Sequence, residues 1–180
     1  VLMAETWQPA IRTVPPYFDN PQFIDALAGS VLQGYAPLPE KPETLVVSYH
    51  GMPQRYLEQG DPYYCHCVKT TRLLRDRLGW DDQNIITAFQ SKFGRDEWLG
   101  PATVNEVARL AKDGKRNIAV IAPAFSADCI ETLEEIKEEI RESFVHAGGE
   151  SFTYIPCLNA ERPHIDLIAS IVRDNLAGWI

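Results

Sequence analysis

One histidine in this sequence stands where it could do acid–base or metal chemistry. His50 directly follows residues 44–49, a run of apolar and β-branched side chains that is typical of a buried strand. Imidazole titrates near neutral pH and binds transition metals, so His50 could act as a base or as a metal ligand. A structural histidine that only satisfies local hydrogen bonds is the alternative.

A row of glutamates is the second candidate. Residues 131–142 hold six glutamates, one lysine and one arginine, which sum to a local charge of −4. Glu131, Glu135 and Glu139 recur every four residues, and side chains at that spacing are neighbours on one helix face. Such a row of oxygen ligands could attract a divalent cation, and a row facing a functional site would favour local π-type widening of the helix. A solvated acidic face is the alternative.

The remaining histidines and the paired cysteines are weaker candidates. Cys65 and Cys67 flank a histidine, but on a helix they point about 200° apart. Structural zinc sites prefer two or more residues between their cysteines, so we predict no metal site there. His146 is expected to compensate a helix dipole and His164 to be exposed to solvent, and neither is a predicted ligand.

Alternating short apolar runs and longer helical patterns must position these side chains. The predicted strands are residues 44–49, 84–89, 117–121 and 152–155, and the predicted helices are residues 19–32, 65–78, 101–113, 128–145 and 163–176. This alternation predicts an α/β fold, a doubly wound, Rossmann-like, four-stranded parallel sheet with helices on both faces. Ligands of such sheets bind outside the carboxyl ends of the strands, where His50 is expected.

Composition restricts the function further. The 180 residues fit one domain, and 17 basic against 25 acidic residues give a net charge of −8, which argues against nucleic-acid binding. No apolar run approaches the roughly 20 residues that span a bilayer. Four irregularly spaced cysteines do not form a disulfide framework, so we expect a reducing cytoplasm. Because residue 1 is Val1, we expect a fragment of a longer protein.

Five segments, in this order, carry a resemblance to a known family. They are SYHGMP at 48–53, GDPY at 60–63, FQSKFG at 89–94 with WLGP at 98–101, DCIETLEE at 128–135, and LN at 158–159. Together they closely resemble ferrochelatase of the proteobacterial type, and the similarity runs over nearly the whole chain. Ferrochelatases are longer, so the resemblance implies that residues 1–180 are a C-terminal, chelatase-type domain. The N-terminal half would supply a second lobe and much of the porphyrin cleft.

The resemblance also implies an activity and a set of site residues. Ferrochelatases are lyases that insert Fe²⁺ into protoporphyrin IX to form protoheme, the last step of heme biosynthesis. The family's histidine falls on His50 and its glutamate on Glu131, which would act in metal binding and in removal of the pyrrole protons. Glu135 and Glu139 match an acidic ladder that leads outward, with an outer divalent-metal site in some members.

The same resemblance assigns substrate contact, partners and cofactors. Gln90, Ser91 and Trp98 match residues near the porphyrin. The implied partners are protoporphyrin IX, ferrous iron and the N-terminal half of the same protein. A hydrophobic lip outside this segment could make peripheral membrane contact, although the acidic balance disfavours a strong hold on anionic lipid. No cysteine follows Cys157, so no iron–sulfur cluster is expected, and Cys129 stands where many eukaryotic members have histidine.

Two other functions remain open at this point. The chain could be an isolated metal- or porphyrin-binding lobe that is inactive without its N-terminal half. It could instead belong to a related tetrapyrrole chelatase that uses cobalt or nickel. The HGMP and QSKFG segments at 50–53 and 90–94 favour the ferrochelatase type over this last alternative.

Overall fold

The computed structural model describes residues 4, 6–7 and 11–179. Within them, four parallel strands form one sheet in the order β2-β1-β3-β4. The strands are β1 (Thr44–His50), β2 (Ile85–Gln90), β3 (Asn117–Ile121) and β4 (Ser151–Ile155). Each predicted strand is confirmed, with its ends correct to within one residue.

Helices connect and cover these strands. They are α1 (Pro21–Tyr35), α2 (Gln54–Glu58), α3 (Tyr63–Leu78), α4 (Thr103–Lys112), a π-helix (Glu131–Ile140) that continues as α5 (Arg141–His146), and α6 (Arg162–Leu176). Each of the five predicted helical segments contains a helix, with ends that differ from the prediction by up to three residues. The sequence did not predict the short α2, and the π-helix lies where the glutamate row suggested a widened helix.

The two faces of the sheet are buried by different helices. One core cluster joins α1, α3 and α6 to strand residues such as Leu45 and Val47. The other joins α4, the π-helix and α5 to strand residues such as Val46 and Val120. Alternate residues of β1 therefore enter opposite cores, as the pleat of a fully buried central strand requires. This arrangement confirms the doubly wound α/β fold.

The functional edge of the sheet lies at the carboxyl ends of β1 and β3. The chain leaves β1 through α3 on one face to reach β2, then crosses through α4 on the other face to reach β3. The connection that leaves β1 lies on one face of the sheet, and the connection that leaves β3, through the π-helix and α5, lies on the other. The two diverge between β1 and β3 and leave a crevice there, which is where open α/β sheets bind ligands. His50 ends β1, and the loop at residues 122–130 follows β3.

His164 corrects one prediction. The sequence suggested an exposed side chain, but only 6% of His164 is exposed. It lies in the first turn of α6 on the face that packs against the sheet, and its Nδ1 is 2.6 Å from the backbone oxygen of Asn159. The proline before it marks the helix start correctly but does not indicate which face the next side chain occupies.

No helix in the described part of the chain is both long enough and apolar enough to cross a membrane.

Candidate functional site

His50 is presented to the crevice in a defined orientation. Its side chain is half-buried, and Nδ1 lies 2.8 Å from the backbone oxygen of Gly51. Because a carbonyl can only accept, the proton of the neutral ring is on Nδ1 and Nε2 carries the free lone pair. Tyr63 donates its hydroxyl proton to the His50 carbonyl at 2.9 Å, which fixes the backbone at the same point.

Gly51 allows an aromatic ring to pack beside this histidine. A Cβ at position 51 would lie 2.8 Å from the backbone oxygen of Gln90 and 2.9 Å from Cε3 of Trp98. Only glycine therefore permits the observed close approach. Trp98 pairs with Pro53 in an isolated antiparallel bridge, and this pairing folds residues 91–98 back over the end of β1.

Trp98 and Phe93 form an aromatic wall at the rim. Their ring centroids are 4.9 Å apart, and 71% of Phe93 is exposed. The exposed Phe93 ring beside the half-buried Trp98 suits a flat apolar ligand, because stacking area is available without a change in the fold.

Gln90, at the end of β2, connects β1 and β2 to the π-helix. Its Oε1 accepts a hydrogen bond from the Ser48 hydroxyl at 2.7 Å. Its Nε2 donates to the backbone oxygen of Glu131 at 2.7 Å and to Oε2 of Glu135 at 3.3 Å. Only 3% of Gln90 is exposed, so its amide is committed to these internal bonds. The substrate contact predicted for Gln90 stays a prediction, whereas its role in holding the glutamates is directly visible.

Ser91 binds Glu135 through two donors. The backbone N–H of Ser91 is 2.6 Å from Oε1, and its hydroxyl is 2.6 Å from Oε2. Ser91 has a φ of 61°, an unusual conformation for a residue with a side chain, and functional sites often contain such residues. Glu135 is thus fixed at the rim, half-buried and with both oxygens hydrogen-bonded.

Glu131 lies at the start of the π-helix, where its backbone oxygen accepts a hydrogen bond from Gln90, the residue that pairs with His50 across β1 and β2. The neighbouring Cys129 thiol lowers the pKa of Glu131, and the backbone N–H of Glu131 acts in the same direction. Burial raises the pKa of the Cys129 thiol, and the neighbouring carboxylate adds to that rise. Glu131 is therefore ionised at neutral pH, and Cys129 stays a thiol that can donate.

The structure divides the predicted glutamate row. Glu131 and Glu135 reach the crevice, whereas Glu139 is exposed further along the π-helix. Among residues 4, 6–7 and 11–179, no three His, Cys, Asp or Glu side chains group closely enough to hold a metal ion. The metal-binding roles predicted for His50, Glu131, Glu135 and Glu139 stay predictions.

Two residues that shape the site, Ser48 and Tyr63, were assigned no role from the sequence, although both lie in segments that carry the family resemblance. Ser48 lies within a buried strand, and a hydroxyl in an otherwise apolar strand was the signal that could have identified it. Besides Gln90, its Oγ is 2.8 Å from the hydroxyl of Thr103. Tyr63 was noted only as part of the GDPY segment, and its contact with the His50 backbone could not be inferred because it depends on how α3 packs.

Comparisons with known proteins are consistent with one another. A family model described as Ferrochelatase matches residues 1–176. The ferrochelatase of Rhodobacter capsulatus is 63% identical over 179 residues, which cover 99% of this chain and 51% of that protein. The ferrochelatase of Agrobacterium fabrum is 52% identical, with 99% and 52% covered. The chain therefore spans about half the length of the curated relatives it matches.

One solved structure supports the fold. A multi-domain protein of Deinococcus radiodurans, described as structurally similar to chelatases, has a TM-score of 0.58 and 8% identity to this chain. The match covers 92% of this chain and 35% of that protein. At this identity the similarity concerns the fold alone.

Proposed function

This chain belongs to the ferrochelatase family, and we propose from this that it is the C-terminal half of a lyase that inserts Fe²⁺ into protoporphyrin IX. The product is protoheme, and two protons leave the pyrrole nitrogens for each iron that enters. The observation that carries the proposal is the pairing of a histidine lone pair with an ionised carboxylate at one crevice. His50 and Glu131 supply these two groups.

His50 and Glu131 are the groups that we assign to metal binding and proton removal. Nε2 of His50 can accept a pyrrole proton or donate its lone pair to the entering iron, because Nδ1 is already committed to Gly51. The Glu131 carboxylate can balance the charge of the cation or take up a proton. Its hydrogen bond from Cys129 keeps it ionised before the metal arrives.

Glu135 and Glu139 extend the acidic path outward. Glu135 is held on Gln90 and Ser91, and Glu139 lies in solvent along the same helix. Negative charge placed in this way attracts divalent cations toward the crevice and offers carboxylates to departing protons. We therefore extend the proposal to an outer divalent-metal site that uses Glu135 and Glu139.

The aromatic rim provides the porphyrin side of the site. The exposed Phe93 and the half-buried Trp98 offer an apolar surface next to Gly51, which suits stacking of a flat macrocycle. Ser91 lies beside this wall and stays a proposed substrate contact. Gln90 is proposed to act mainly by positioning Glu131 and Glu135. The rest of the porphyrin surface would be covered by the N-terminal half.

An isolated metal- or porphyrin-binding lobe is the second candidate function. One observation motivates it: the chain spans about half the length of its relatives, so the residues described here would form only part of a complete site. Under this alternative the chain would bind a ligand without completing the reaction.

Porphyrin metalation, followed by absorbance under anaerobic conditions with Fe²⁺ or Zn²⁺, separates the two candidates. The proteins to compare are this chain alone, the complete protein with its N-terminal half, and the complete protein carrying His50→Ala. We expect insertion only in the complete protein and its loss on His50→Ala. His146→Ala is the matched control, because His146 is exposed at the end of α5.

Each outcome decides between the candidates. Near-normal insertion by His50→Ala would overturn the assignment of that residue. A complete protein that binds porphyrin but never metalates it would favour the binding lobe. Insertion of Co²⁺ or Ni²⁺ in strong preference to Fe²⁺ would indicate a related chelatase.

A further inference from the structure

The carboxylate of Asp128 lies at the centre of a hydrogen-bond cluster just before the π-helix. Its Oδ1 accepts from the Tyr154 hydroxyl at 2.5 Å, from the Cys157 backbone N–H at 3.1 Å and from the Thr132 hydroxyl at 3.3 Å. Its Oδ2 accepts from the Asn159 side-chain amide at 2.8 Å. Four donors thus surround one carboxylate. Burial alone would raise the pKa of Asp128, but the bonds from Tyr154, Asn159 and Cys157 outweigh it and lower the pKa.

This cluster joins the loops that follow β3 and β4. Asp128 belongs to the loop after β3, whereas Tyr154 lies in β4 and Asn159 in the loop after it. The backbone N–H of Asp128 also donates to Oδ1 of Asn159 at 2.9 Å, so the contact is reciprocal. The loop that carries Cys129 and leads into Glu131 is therefore attached to β4, an edge strand of the sheet.

The tie continues directly into the first turn of the π-helix. The Cys129 N–H donates to the Thr132 hydroxyl at 2.9 Å, and the Leu133 N–H donates to the Cys129 carbonyl at 2.8 Å. Thr132 is fully buried, so the residue that accepts the Cys129 hydrogen bond is itself held in place by packing. A shift of Asp128 would move Cys129 and Thr132, and with them Glu131, which lies between these two residues in the chain.

Tyr154 is well suited to hold Asp128 without touching the crevice. Its ring packs beside the core cluster formed by α4, the π-helix and α5. Burial raises the pKa of Tyr154, and the neighbouring carboxylate adds to the rise, so the hydroxyl remains a donor over the whole working range. The hydroxyl is the only polar atom of the side chain. It hydrogen-bonds to Asp128 and lies 3.7 Å from the Cys157 sulfur.

We propose that Tyr154 is a positioning residue for metal insertion. Its hydroxyl holds Asp128, and through that contact it fixes the turn that places Cys129 and Glu131 beside His50. This inference rests on the proposed function, because it assigns Tyr154 a part in the same reaction. It adds a residue on β4 that makes no contact with the crevice.

Tyr154→Phe in the complete protein tests the proposal. The ring is kept and one hydroxyl is lost, so the fold is retained while Asp128 loses one donor. We expect kcat for metalation to fall by about tenfold, the order of one hydrogen bond to a charged group. KM for porphyrin should not change, because Tyr154 does not reach the aromatic rim.

Tyr49→Phe is the matched control. It removes a buried hydroxyl that lies 3.0 Å from the Thr71 hydroxyl, on the opposite side of the sheet. We expect it to lower stability without lowering kcat. Equal kcat losses in Tyr49→Phe and Tyr154→Phe would assign the effect to general destabilisation and overturn the proposal.

A double variant separates positioning from a merely structural role. If Tyr154 acts through Glu131, then Tyr154→Phe should cause no further loss in zinc insertion once Glu131→Gln is present. A further loss of the same size in that background would overturn the proposal.

Amide hydrogen exchange of residues 128–133 provides a measure that does not need activity. It should become faster in the complete Tyr154→Phe protein and stay unchanged in Tyr49→Phe. Unchanged exchange in Tyr154→Phe would also overturn the inference. If the parent protein fails to metalate porphyrin, the proposed function fails, and the exchange measurement still decides whether Tyr154 holds this turn.

Discussion

Ser91 holds both oxygens of Glu135, with its backbone N–H 2.6 Å from Oε1 and its hydroxyl 2.6 Å from Oε2. The residue after β2 thus fixes a side chain on the π-helix, and Gln90 adds a third donor at 3.3 Å. Glu135 is therefore a fixed negative charge at the rim. Glu139, one step further along the row, is exposed and free of this constraint.

Glu135→Gln should destabilise the protein. The new amide NH₂ cannot accept, so at least one donor of Ser91 loses its partner in a half-buried site. A lost hydrogen bond to a charged group predicts a decrease of about 1.5–3 kcal/mol in the free energy of unfolding. Urea denaturation of Glu135→Gln and of the parent protein measures this decrease. Glu134→Gln is the control, because Glu134 is exposed on the same helix. Equal stability of the two variants would contradict the anchoring described here.

The sequence predicted the scaffold well because strand and helix signals are local. Residues 117–121 match β3 exactly, since a continuous apolar run between turn residues is typical of a buried parallel strand. α2 was missed because its five residues contain less than two turns and bury none of their side chains. The π-helix start was predicted three residues early, at Asp128, whose carboxylate is instead used by the loops around it.

The site was less predictable because its contacts join loops from different strands. His50 and Glu131 were identified by type and family resemblance, but nothing in their spacing indicated the Cys129 contact that lowers the Glu131 pKa. The Ser91 contact depends on a φ of 61°, which no propensity of serine suggests. The burial of His164 likewise depends on how α6 rotates against the sheet.

Gly51→Ala should disturb the aromatic rim. The added methyl would lie within 3 Å of a backbone oxygen and of the Trp98 ring, so one of them must move. Overpacking of this kind costs about 1–3 kcal/mol. Gly29→Ala is the matched control, because a Cβ at Gly29 meets nothing within 4 Å and helix α1 should gain up to about 1 kcal/mol. Chemical denaturation of both variants measures the difference, and a neutral Gly51→Ala would refute the tight contact.

Three of the four cysteines, Cys65, Cys67 and Cys157, should differ in their reactivity toward thiol reagents. Burial raises the pKa of Cys67 to about 12 and that of Cys157 to about 12, so neither forms the reactive thiolate at neutral pH. Cys65 is exposed. Iodoacetamide followed by mass spectrometry should show rapid labelling of Cys65, and labelling of Cys67 and Cys157 only after denaturation. Fast labelling of Cys157 in the native protein would contradict its placement behind Asp128.

Asp128 should make the stability depend on acid pH. Its pKa in the folded protein is lowered from the ordinary value of 3.8; burial opposes this shift, but the bonds from Tyr154, Asn159 and Cys157 outweigh it. A carboxyl with a lowered folded pKa stabilises the fold above its unfolded pKa and loses that contribution as pH falls through the folded value. Thermal unfolding between pH 7 and pH 2 should therefore show a decrease in Tm below about pH 4.

Asp128→Asn tests this origin of the pH dependence. The variant should be less stable than the parent at pH 7, and its Tm should decrease less on acidification. A variant with the same acid slope as the parent would contradict the role of this carboxylate.

Glu131→Gln and Glu139→Gln should affect metal insertion unequally. Glu131 lies beside His50 with its charge held by Cys129, whereas Glu139 is exposed and can act only on the approach of the cation. Neutralising Glu131 should abolish most of the metalation rate at any metal concentration.

Neutralising Glu139 should mainly raise the metal concentration needed for half-maximal rate. Added salt should reduce this difference between Glu139→Gln and the parent protein, because salt screens exposed charges. Initial rates of zinc insertion in the complete protein, measured against metal concentration at two ionic strengths, distinguish the two effects. A loss at Glu139 equal to or larger than that at Glu131 would reverse the order of the acidic path, because metal capture by the exposed carboxylate would then limit the reaction.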